Sequence, residues 1–565
     1  MIFVALCGYD HLAMIRAMVL IMAFILSGCR SAQEKQEQAP AGSHQGHGAT
    51  SPSIPTPAAK LLDGMGKVNF PITTTSKEAQ AFFNQGVAQL YGFWFTEAEK
   101  SFLQAARLDS KAAMAYWGIA MAAPADFVPK YQLVLTPNAP RPRSPSAPEA
   151  RARAAIMKAL ALEDVVTPRE RLYIEAVAAR HSTLPVNTEA AYVGGMEKLV
   201  ESFPDDLEAK AILALALEEG YDRTSRAPLK GTRESLKLLQ EVLMKDSAHV
   251  GATHFYIHSL EGGKDMRNAL PMANRYAAMA PNIPHVLHMP GHVYAQIGMF
   301  DEAVKSFQIA AAKEEEYISA DPRYSKLGWM HNEVLLLQVL GQSGRYQDAM
   351  SHIAALMSGK KADHDTAEFF YRIGWFNLMK TLVRFEKWNE VLDDKTLPFY
   401  KGGPEALWYH WSHGLANASN SNISAAHESL RNMDALIRQF ETASPIPAQF
   451  HIAKSELEAY IDARAGNLKK GLEGLRRAAV SESQLPYTDP TVYPRPVLEL
   501  MGKTALDGHD FASAEFAYRR TLENEPGGGR ALWGLARALD GLGKKEEAGT
   551  MMAEYHRVWR GDELK

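Results

Sequence analysis

The segment ALPMANRYAAMAPNIPHVLHMPGHVYAQIGMFDEA, residues 269–303, decides the fold. It begins and ends on a small residue, Ala269 and Ala303, and these stand thirty-four positions apart. Near the C-terminus, Ala514 and Ala548 have the same separation. Small residues at a regular position let two antiparallel helices pack closely. The spacing therefore predicts an array of helical hairpins.

The rest of the chain extends this array. From about Ser76 onward, apolar residues recur at helical spacing in short blocks, and no strand-like alternation of useful length appears. A period of this length is typical of tetratricopeptide (TPR) repeats, in which neighbouring hairpins bury one continuous core. The sequence predicts an all-α fold, a right-handed superhelical solenoid of TPR-like helical hairpins.

Composition divides the 565 residues into five segments. We predict a lipoprotein signal peptide at 1–28, a flexible tether and lead-in at 29–75, N-terminal TPR-like repeats at 76–220, central His-rich repeats at 221–360 and C-terminal TPR-like repeats at 361–565. The Pro-rich stretch 136–148 is predicted to be an extended surface loop within the first group of repeats. Ala303 and Ala349 stand farther apart than one repeat period, which indicates a second insertion, in the central group.

The N-terminus has the pattern of an exported protein. Arg16 precedes the apolar run AMVLIMAFIL, residues 17–26. This run is too short for a transmembrane helix, which needs roughly 20 apolar residues. It ends in LSGC, residues 26–29, which resembles the bacterial lipobox. The resemblance implies cleavage before Cys29 and acylation of its thiol; the alternative is an ordinary signal peptide that happens to contain a cysteine.

An acylated Cys29 would anchor the mature chain to a membrane, because several acyl chains give stable attachment. Cys7 lies in the segment that would be removed, so no intramolecular disulfide is expected. Arg30, and not Asp, follows the cysteine. By resemblance to the lipoprotein sorting pattern, this favours the outer membrane, and we expect a cell-envelope protein that faces the periplasm.

Histidines cluster in the central repeats. His254 and His258 stand four residues apart in HFYIHSLE, and His288 and His292 repeat that spacing one repeat period later. Residues four apart share one face of a helix. Both pairs precede the small residue that marks the second helix, so they are predicted to lie on the first helix of successive hairpins. First helices usually line the concave surface of such arrays.

Three further residues are expected to join these pairs on one patch. His285 precedes His288 by three residues, His331 takes the equivalent place in the next hairpin, and Glu261 follows His258 by three. The seven predicted site residues are His254, His258, Glu261, His285, His288, His292 and His331.

An i, i+4 histidine pair is a natural bidentate ligand set for a metal ion. Two such pairs on helices roughly 8–10 Å apart would share one ion, with Glu261 as a ligand or as an orienting group behind the ligands. Imidazole without thiolate suits zinc, copper(II) or iron, and affinity would weaken as pH drops through roughly 6.5. The alternatives are that the histidines hydrogen-bond a bound peptide, or that they pack and cap the turns at Pro281, Pro284 and Pro290.

The composition and motifs of the chain do not indicate a particular reaction. The formal net charge of −4 gives no reason to expect a nucleic-acid partner. No complete catalytic constellation is visible, and Phe255 after His254 departs from the zinc-protease motif. The leading hypothesis is therefore a membrane-anchored, non-enzymatic scaffold that binds a protein or peptide partner through its concave face. The alternative is a metal-binding protein or metal-dependent enzyme that uses the histidine cluster.

Several segments resemble a family of bacterial TPR lipoproteins. They are FPITTTSKEAQAFFNQG from residue 70, FWFTEAEKSF from residue 93, MAYWGIAMA from residue 114, HFYIHSLE from residue 254 and APNIPHVLHMPGHVYAQIGMF from residue 280. The IH and PHxLHMPxH elements are its marks, although related sequences usually carry Ser at the place of Gly291 and His at the place of Tyr91. The resemblance implies a helical-repeat fold and supplies no reaction.

Overall fold

The computed structural model describes residues 59–123, 147–182, 188–222, 225–321, 323–358, 367–400, 403–442, 445–485 and 488–564. The signal peptide, Cys29 and the Pro-rich insertion up to residue 146 lie outside these ranges. Within them the chain forms α-helices, two short 3-10 turns and one isolated bridge between Tyr221 and Pro228, with no strand. The prediction of an all-α fold of TPR-like hairpins is confirmed.

We number the described α-helices in chain order. The first twelve are α1 Lys77–Tyr91, α2 Phe95–Leu108, α3 Ala113–Ala122, α4 Ala147–Leu160, α5 Pro168–Arg180, α6 Thr188–Ser202, α7 Leu207–Leu217, α8 Lys230–Lys245, α9 Val250–Leu260, α10 Leu270–Met279, α11 Pro284–Gln296 and α12 Phe300–Ala320. The others are α13 Leu327–Gln342, α14 Tyr346–Met357, α15 Ala367–Arg384, α16 Trp388–Leu392, α17 Glu405–Ser419, α18 Ile423–Glu441, α19 Ala448–Arg464, α20 Leu468–Glu482, α21 Val497–Asp507, α22 Phe511–Asn524, α23 Gly529–Gly541 and α24 Lys545–Val558.

Residues that favour helix starts begin several of these helices. The Ser76 side chain accepts a hydrogen bond from the Ala79 amide at the start of α1. Thr167 and Glu170 form a reciprocal capping box at the start of α5, with Pro168 in the first turn, where its missing N–H costs nothing. Local sequence therefore fixes these boundaries before any tertiary packing.

The hairpins share one turn geometry. In eight hairpins, a residue with a φ between 52° and 98° stands two positions before the second helix. Four of these residues are glycines and four are not: Gly298, Gly344, Gly466, Gly543, Phe93, Glu386, Ser421 and His509. A left-handed residue ends the first helix and redirects the chain into the second. The repeated turn, and not a repeated residue, is what the hairpins have in common.

The chain divides into two compact units. One unit contains residues 57–377, 486–492 and 511–565, and the other contains residues 378–485 and 493–510 together with residues 1–56, of which the structure describes none. The division falls within α15. We call the first the large unit and the second the small unit.

The large unit has an aromatic core at its N-terminal end. Trp117 is fully buried, with Tyr173 edge-on at 5.6 Å between ring centroids and Phe70 at 6.0 Å. Gly118 lies so close to Phe102 that a Cβ there would approach its ring to 2.4 Å. Phe70 belongs to the predicted lead-in, so the last part of that segment packs into this core.

The small unit buries an ionisable network. Glu456 on α19 is fully buried and accepts hydrogen bonds from Tyr493 at 2.6 Å and from the Trp411 indole at 3.0 Å. Burial raises the pKa of Glu456, and the nearby Arg495 guanidinium opposes this rise. These hydrogen bonds tie α17 and α19 to the segment that precedes α21.

The second predicted insertion lengthens a helix. Between the repeats of Ala303 and Ala349, α12 continues for 21 residues. On this extension Glu314 is buried, with a hydrogen bond to the Tyr324 hydroxyl, which also accepts from the Trp94 indole at 2.8 Å. Burial raises the pKa of Glu314 to about 8. The groups facing Glu314 include the phenols of Tyr317 and Tyr324, with Gly328 of α13 against its carboxyl group.

The raised pKa of Glu314 predicts a pH-dependent stability. The folded chain keeps this proton up to about pH 8, whereas the unfolded chain releases it near the ordinary pKa of 4.5. Stability should therefore fall as pH rises between these values, by about 1.4 kcal/mol per pH unit at most. Melting temperatures at pH 6 and pH 8.5 should differ less in Glu314→Gln than in the wild type.

Glu316→Gln is the matched control, since Glu316 lies on the same helix with 66% of its side chain exposed. Its pH dependence should equal that of the wild type. The same pH dependence in Glu314→Gln as in the wild type would contradict the assignment.

Candidate metal centre

Three neighbouring helices of the large unit carry the predicted histidines. His254 and His258 lie on α9, His285, His288 and His292 on α11, and His331 on α13. Helix α9 packs on α11, and α11 packs on α13. Each helix is the first of its hairpin, as the repeat period requires.

The six histidines form two groups of three rather than one patch. His254, His258 and His285 form the first triad, and His288, His292 and His331 form the second. Within each triad, one ligand nitrogen per histidine lies within 4.8 Å of the others. The expectation that two pairs share one ion is therefore replaced by two adjacent sets of three imidazoles.

The triads lie inside the protein. The exposed fraction is 0% for His254, 1% for His288 and 6% for His292, and His285 is half-buried. They do not line an exposed concave surface, because Phe93 and Phe307 cover them. A bound peptide would therefore have no direct access to most of these rings.

In the first triad, acceptors fix the outer nitrogen of two rings. The Nδ1 of His254 is 2.5 Å from the carbonyl oxygen of Tyr91, and the Nδ1 of His258 is 2.9 Å from Oε2 of Glu261. A carbonyl and a carboxylate only accept, so both Nδ1 atoms carry the proton. In the neutral rings, the lone pair therefore resides on Nε2.

Hydrogen-bond acceptors also fix the Nδ1 nitrogens of two rings in the second triad. The Nδ1 of His288 is 2.6 Å from Oδ1 of Asn332, and the Nδ1 of His292 is 2.8 Å from Oδ2 of Asp489. The amide nitrogen of Asn332 donates to the carbonyl of Gly328 at 2.9 Å, which leaves its oxygen towards His288. Both Nδ1 atoms therefore donate.

The Nε2 nitrogens of His254, His285, His288 and His292 have surroundings that differ from those of Nδ1. The Nε2 atoms of His254 and His285 are buried, and neither has a hydrogen-bond partner among the residues that the structure describes. The Nε2 atoms of His288 and His292 lie 2.5 Å apart. Two lone pairs at this distance repel unless a proton lies between them, and a metal ion with bonds of about 2.0–2.1 Å would hold the two nitrogens farther apart.

Burial keeps most of the imidazoles neutral. Burial, and then the neighbouring histidines, hold the pKa of His254, His285 and His288 well below the usual range. Burial also lowers the pKa of His331 to about 3. Burial lowers the pKa of His292 too, but the Asp489 carboxylate outweighs it and the net pKa is raised. Neutral imidazole is the form that binds metal ions.

A strained turn places Phe93 against the first triad. Phe93 has a φ of 52°, which a bulky residue rarely adopts. Its ring centroid lies 4.5 Å from that of His254, 5.3 Å from that of His258 and 5.6 Å from that of His285. The turn between α1 and α2 thus closes one side of the site.

Phe307 of α12 packs against the second triad. Its ring centroid is 5.1 Å from that of His288 and 5.9 Å from that of His292. A Cβ at Gly291 would approach the Phe307 ring to 2.6 Å, so Gly291 lets α11 and α12 come close. Glycine at position 291, where related sequences usually carry serine, therefore allows this close packing.

Sequence reasoning missed three contributors to the site. Asp489 stands 197 residues from His292, in a segment without repeat signature. Asn332 directly follows a predicted histidine, but nothing in the spacing singled it out. Tyr91 contributes its backbone carbonyl to His254, while its hydroxyl donates to Glu208.

A separate cavity of about 740 Å³ opens on the far side of Tyr91. Its lining includes Arg169, Glu208 and His249. The His249 Nε2 lies 3.3 Å from the Glu208 carboxylate. None of the six clustered histidines lines this cavity.

No helix in the described part of the chain combines the length and apolar character needed to cross a membrane. Cys29 lies outside the described residues, so its acylation stays a prediction.

Comparison with known proteins identifies the repeat type. Residues 500–555 match the family model described as tetratricopeptide repeat. No curated protein matches the sequence. Residues 500–555 are thus similar to a tetratricopeptide repeat.

Solved structures of other helical-repeat proteins resemble the chain weakly. A monomeric mutant of IFIT1 with Gppp-AAAA has 12% identity and a TM-score of 0.31, covering 86% of this chain and 92% of that one. The human IFIT1 dimer with PPP-AAAA has 13% identity, a TM-score of 0.29 and coverages of 86% and 91%. The TPR domain of P58(IPK) has 11% identity, a TM-score of 0.23 and coverages of 83% and 99%. Likeness at this level carries no functional argument.

Proposed function

We propose that this TPR protein binds transition-metal ions at the two histidine triads, one ion in each. The observation that carries the proposal is the direction of the imidazoles. Four of the six hold Nδ1 on an acceptor, so Nε2 is the nitrogen that each of these neutral rings can offer to a metal ion. A histidine that ligates a metal almost always donates its other nitrogen to a carboxylate, carbonyl or water.

The ligand set favours particular ions. Three neutral nitrogens without thiolate suit zinc, copper(II) or iron(II) better than copper(I). Three protein ligands also leave a coordination position open, as in catalytic zinc sites. Alternatively, the second triad holds a proton and no metal ion. His292 would then carry a proton on both nitrogens, donating from Nε2 to His288 and from Nδ1 to Asp489.

Metal content tests the proposal directly. Protein purified without a His-tag and equilibrated with zinc, copper(II) or iron(II) should retain two ions per chain by elemental analysis. His258→Ala and His292→Ala should each retain about one, because each removes one ligand from a different triad. Bound metal should also raise the melting temperature, since the ligand binds the folded state.

His427→Ala is the matched control, because His427 is exposed on α18 and belongs to the small unit, whereas both triads belong to the large unit. It should keep two ions. Near-zero metal in the wild type after equilibration with all three ions would refute the proposal.

The second candidate function is a scaffold that binds a protein or peptide partner, and the TPR match at residues 500–555 favours it. Because the triads are buried, partner binding would use other residues. Crosslinking and pull-down from membranes should therefore recover the same partner from wild type and from a variant altered at His254, His288 and His331. Failure to recover a reproducible partner from either protein would remove this candidate.

We further propose that the protein is lipid-anchored through Cys29 in the cell envelope, at the outer membrane facing the periplasm. The support is the LSGC pattern after a short apolar run. Cys29→Ala should release the protein into the soluble extracytoplasmic fraction and remove the mass of the acyl chains. A variant that stays membrane-bound with unaltered mass would show the prediction to be wrong.

A further inference from the structure

The two triads are in contact with each other. The rings of His285 and His288, one from each triad, stack with centroids 5.2 Å apart and planes inclined by 21°. Glu261 reaches both triads as well. Its Oε2 lies 2.9 Å from Nδ1 of His258, and its Oε1 lies 3.7 Å from Nδ1 of His292. Metal ions in the two triads would therefore be neighbours, and the Glu261 carboxylate would lie behind one imidazole ligand of each ion.

Charge is unbalanced when both triads are filled. Two divalent ions bring four positive charges into a site whose imidazoles are neutral. Glu261 and Asp489 place two negative charges against them, half of what neutrality requires. Buried charge is costly unless it is compensated nearby. The filled centre therefore favours an additional anion.

The two carboxylates do not occupy the open coordination positions. Each accepts from an Nδ1 nitrogen, on the opposite edge of the ring from the Nε2 atom that faces the triad. With three imidazoles per ion, at least one position on each ion remains for a ligand from solution. An anion that fills positions on both neighbouring ions would gain the attraction of both in a medium of low dielectric.

We propose that the two triads form one dinuclear centre that takes a single small anion, bound through oxygen or nitrogen, as a ligand shared by both metal ions. This inference rests on the proposed metal binding. Hydroxide is the simplest such ligand: a metal-bound water releases one proton to solvent, and the oxygen keeps its electron pair for the two ions. The centre would accordingly bind oxyanions or azide in competition with hydroxide.

Cobalt(II) and azide test the inference on the full chain. Protein loaded with cobalt(II) is titrated with azide, and the visible spectrum of the cobalt is followed. The expected result is two cobalt ions per chain and one azide per pair. His258→Gln and His292→Gln, each with one complete triad, should bind azide at least tenfold more weakly, whereas His427→Ala should match the wild type.

The outcomes separate the two proposals. Fewer than two cobalt ions in the wild type would refute the two-triad metal proposal itself. Two cobalt ions with one azide on each, or with none, would leave metal binding intact and overturn the dinuclear inference. Unchanged azide affinity in both single-triad variants would also overturn it. Far-ultraviolet circular dichroism identifies any variant that fails to fold. Glu261→Gln then provides a second test at cobalt(II) concentrations that keep both triads filled, because removing one negative charge should tighten azide binding.

Discussion

Asp489→Asn should weaken metal binding at the second triad by roughly 10–100-fold and leave the first triad unchanged. Asp489 accepts from Nδ1 of His292 at 2.8 Å, which fixes the ring and raises the basicity of its Nε2. Loss of an orienting carboxylate behind a metal ligand typically has an effect of this size. Asparagine keeps the shape of the side chain, so the change isolates the charge.

Competition with a zinc chelator should measure the zinc affinity of each triad separately. One ion should dissociate from Asp489→Asn at much lower chelator concentration than from the wild type. Asp205→Asn is the control, since that side chain is 93% exposed and pairs with Lys245. An unchanged second affinity, or an equal loss at both triads, would refute the assigned role of Asp489.

Trp117→Ala should lower the free energy of unfolding of the large unit by about 3–5 kcal/mol. Trp117 is fully buried between Tyr173 and Phe70, and its removal leaves a cavity in a close-packed aromatic core. A loss of this size is a large part of the stability of an ordinary protein. Urea unfolding should show an earlier midpoint for the transition that includes this unit.

Tyr116→Ala, one position earlier on α3, is the matched control. Tyr116 is only half-buried, and its hydroxyl lies 3.3 Å from the carbonyl of Ser110. Tyr116→Ala should lower the free energy of unfolding clearly less than Trp117→Ala. Equal midpoints for the two variants would contradict the central place of Trp117 in the aromatic core.

The repeat period explains why the sequence predicted the histidine helices well. In a repeat array, equal positions in successive repeats lie at equal places on successive first helices. The pairs His254/His258 and His288/His292 therefore fall on neighbouring helices, and His331 follows on the next. The all-α fold and this placement required only periodicity and small-residue spacing.

Tertiary structure decided how the histidines are grouped and what holds them. The split into two triads depends on the packing of α9, α11 and α13, which periodicity does not specify. Burial of the site depends on a left-handed turn at Phe93 and on the approach of Phe307. The contact of Phe93 with His254 has no local sequence signal, because it joins residues far apart along the chain, whereas Phe307 lies on the second helix of the hairpin that carries His288.

The residues that accept hydrogen bonds from the Nδ1 nitrogens also show how far the sequence alone could predict the site. Glu261 was within reach of sequence reasoning, because it follows His258 by three residues. Asp489 was not, because it approaches His292 across 197 residues and outside the repeat pattern. By itself the sequence determined the helical repeats and the helices that carry the six imidazoles. Only the tertiary structure decided which nitrogen of His254, His288 and His292 donates to an acceptor, because those acceptors are brought in by long-range packing.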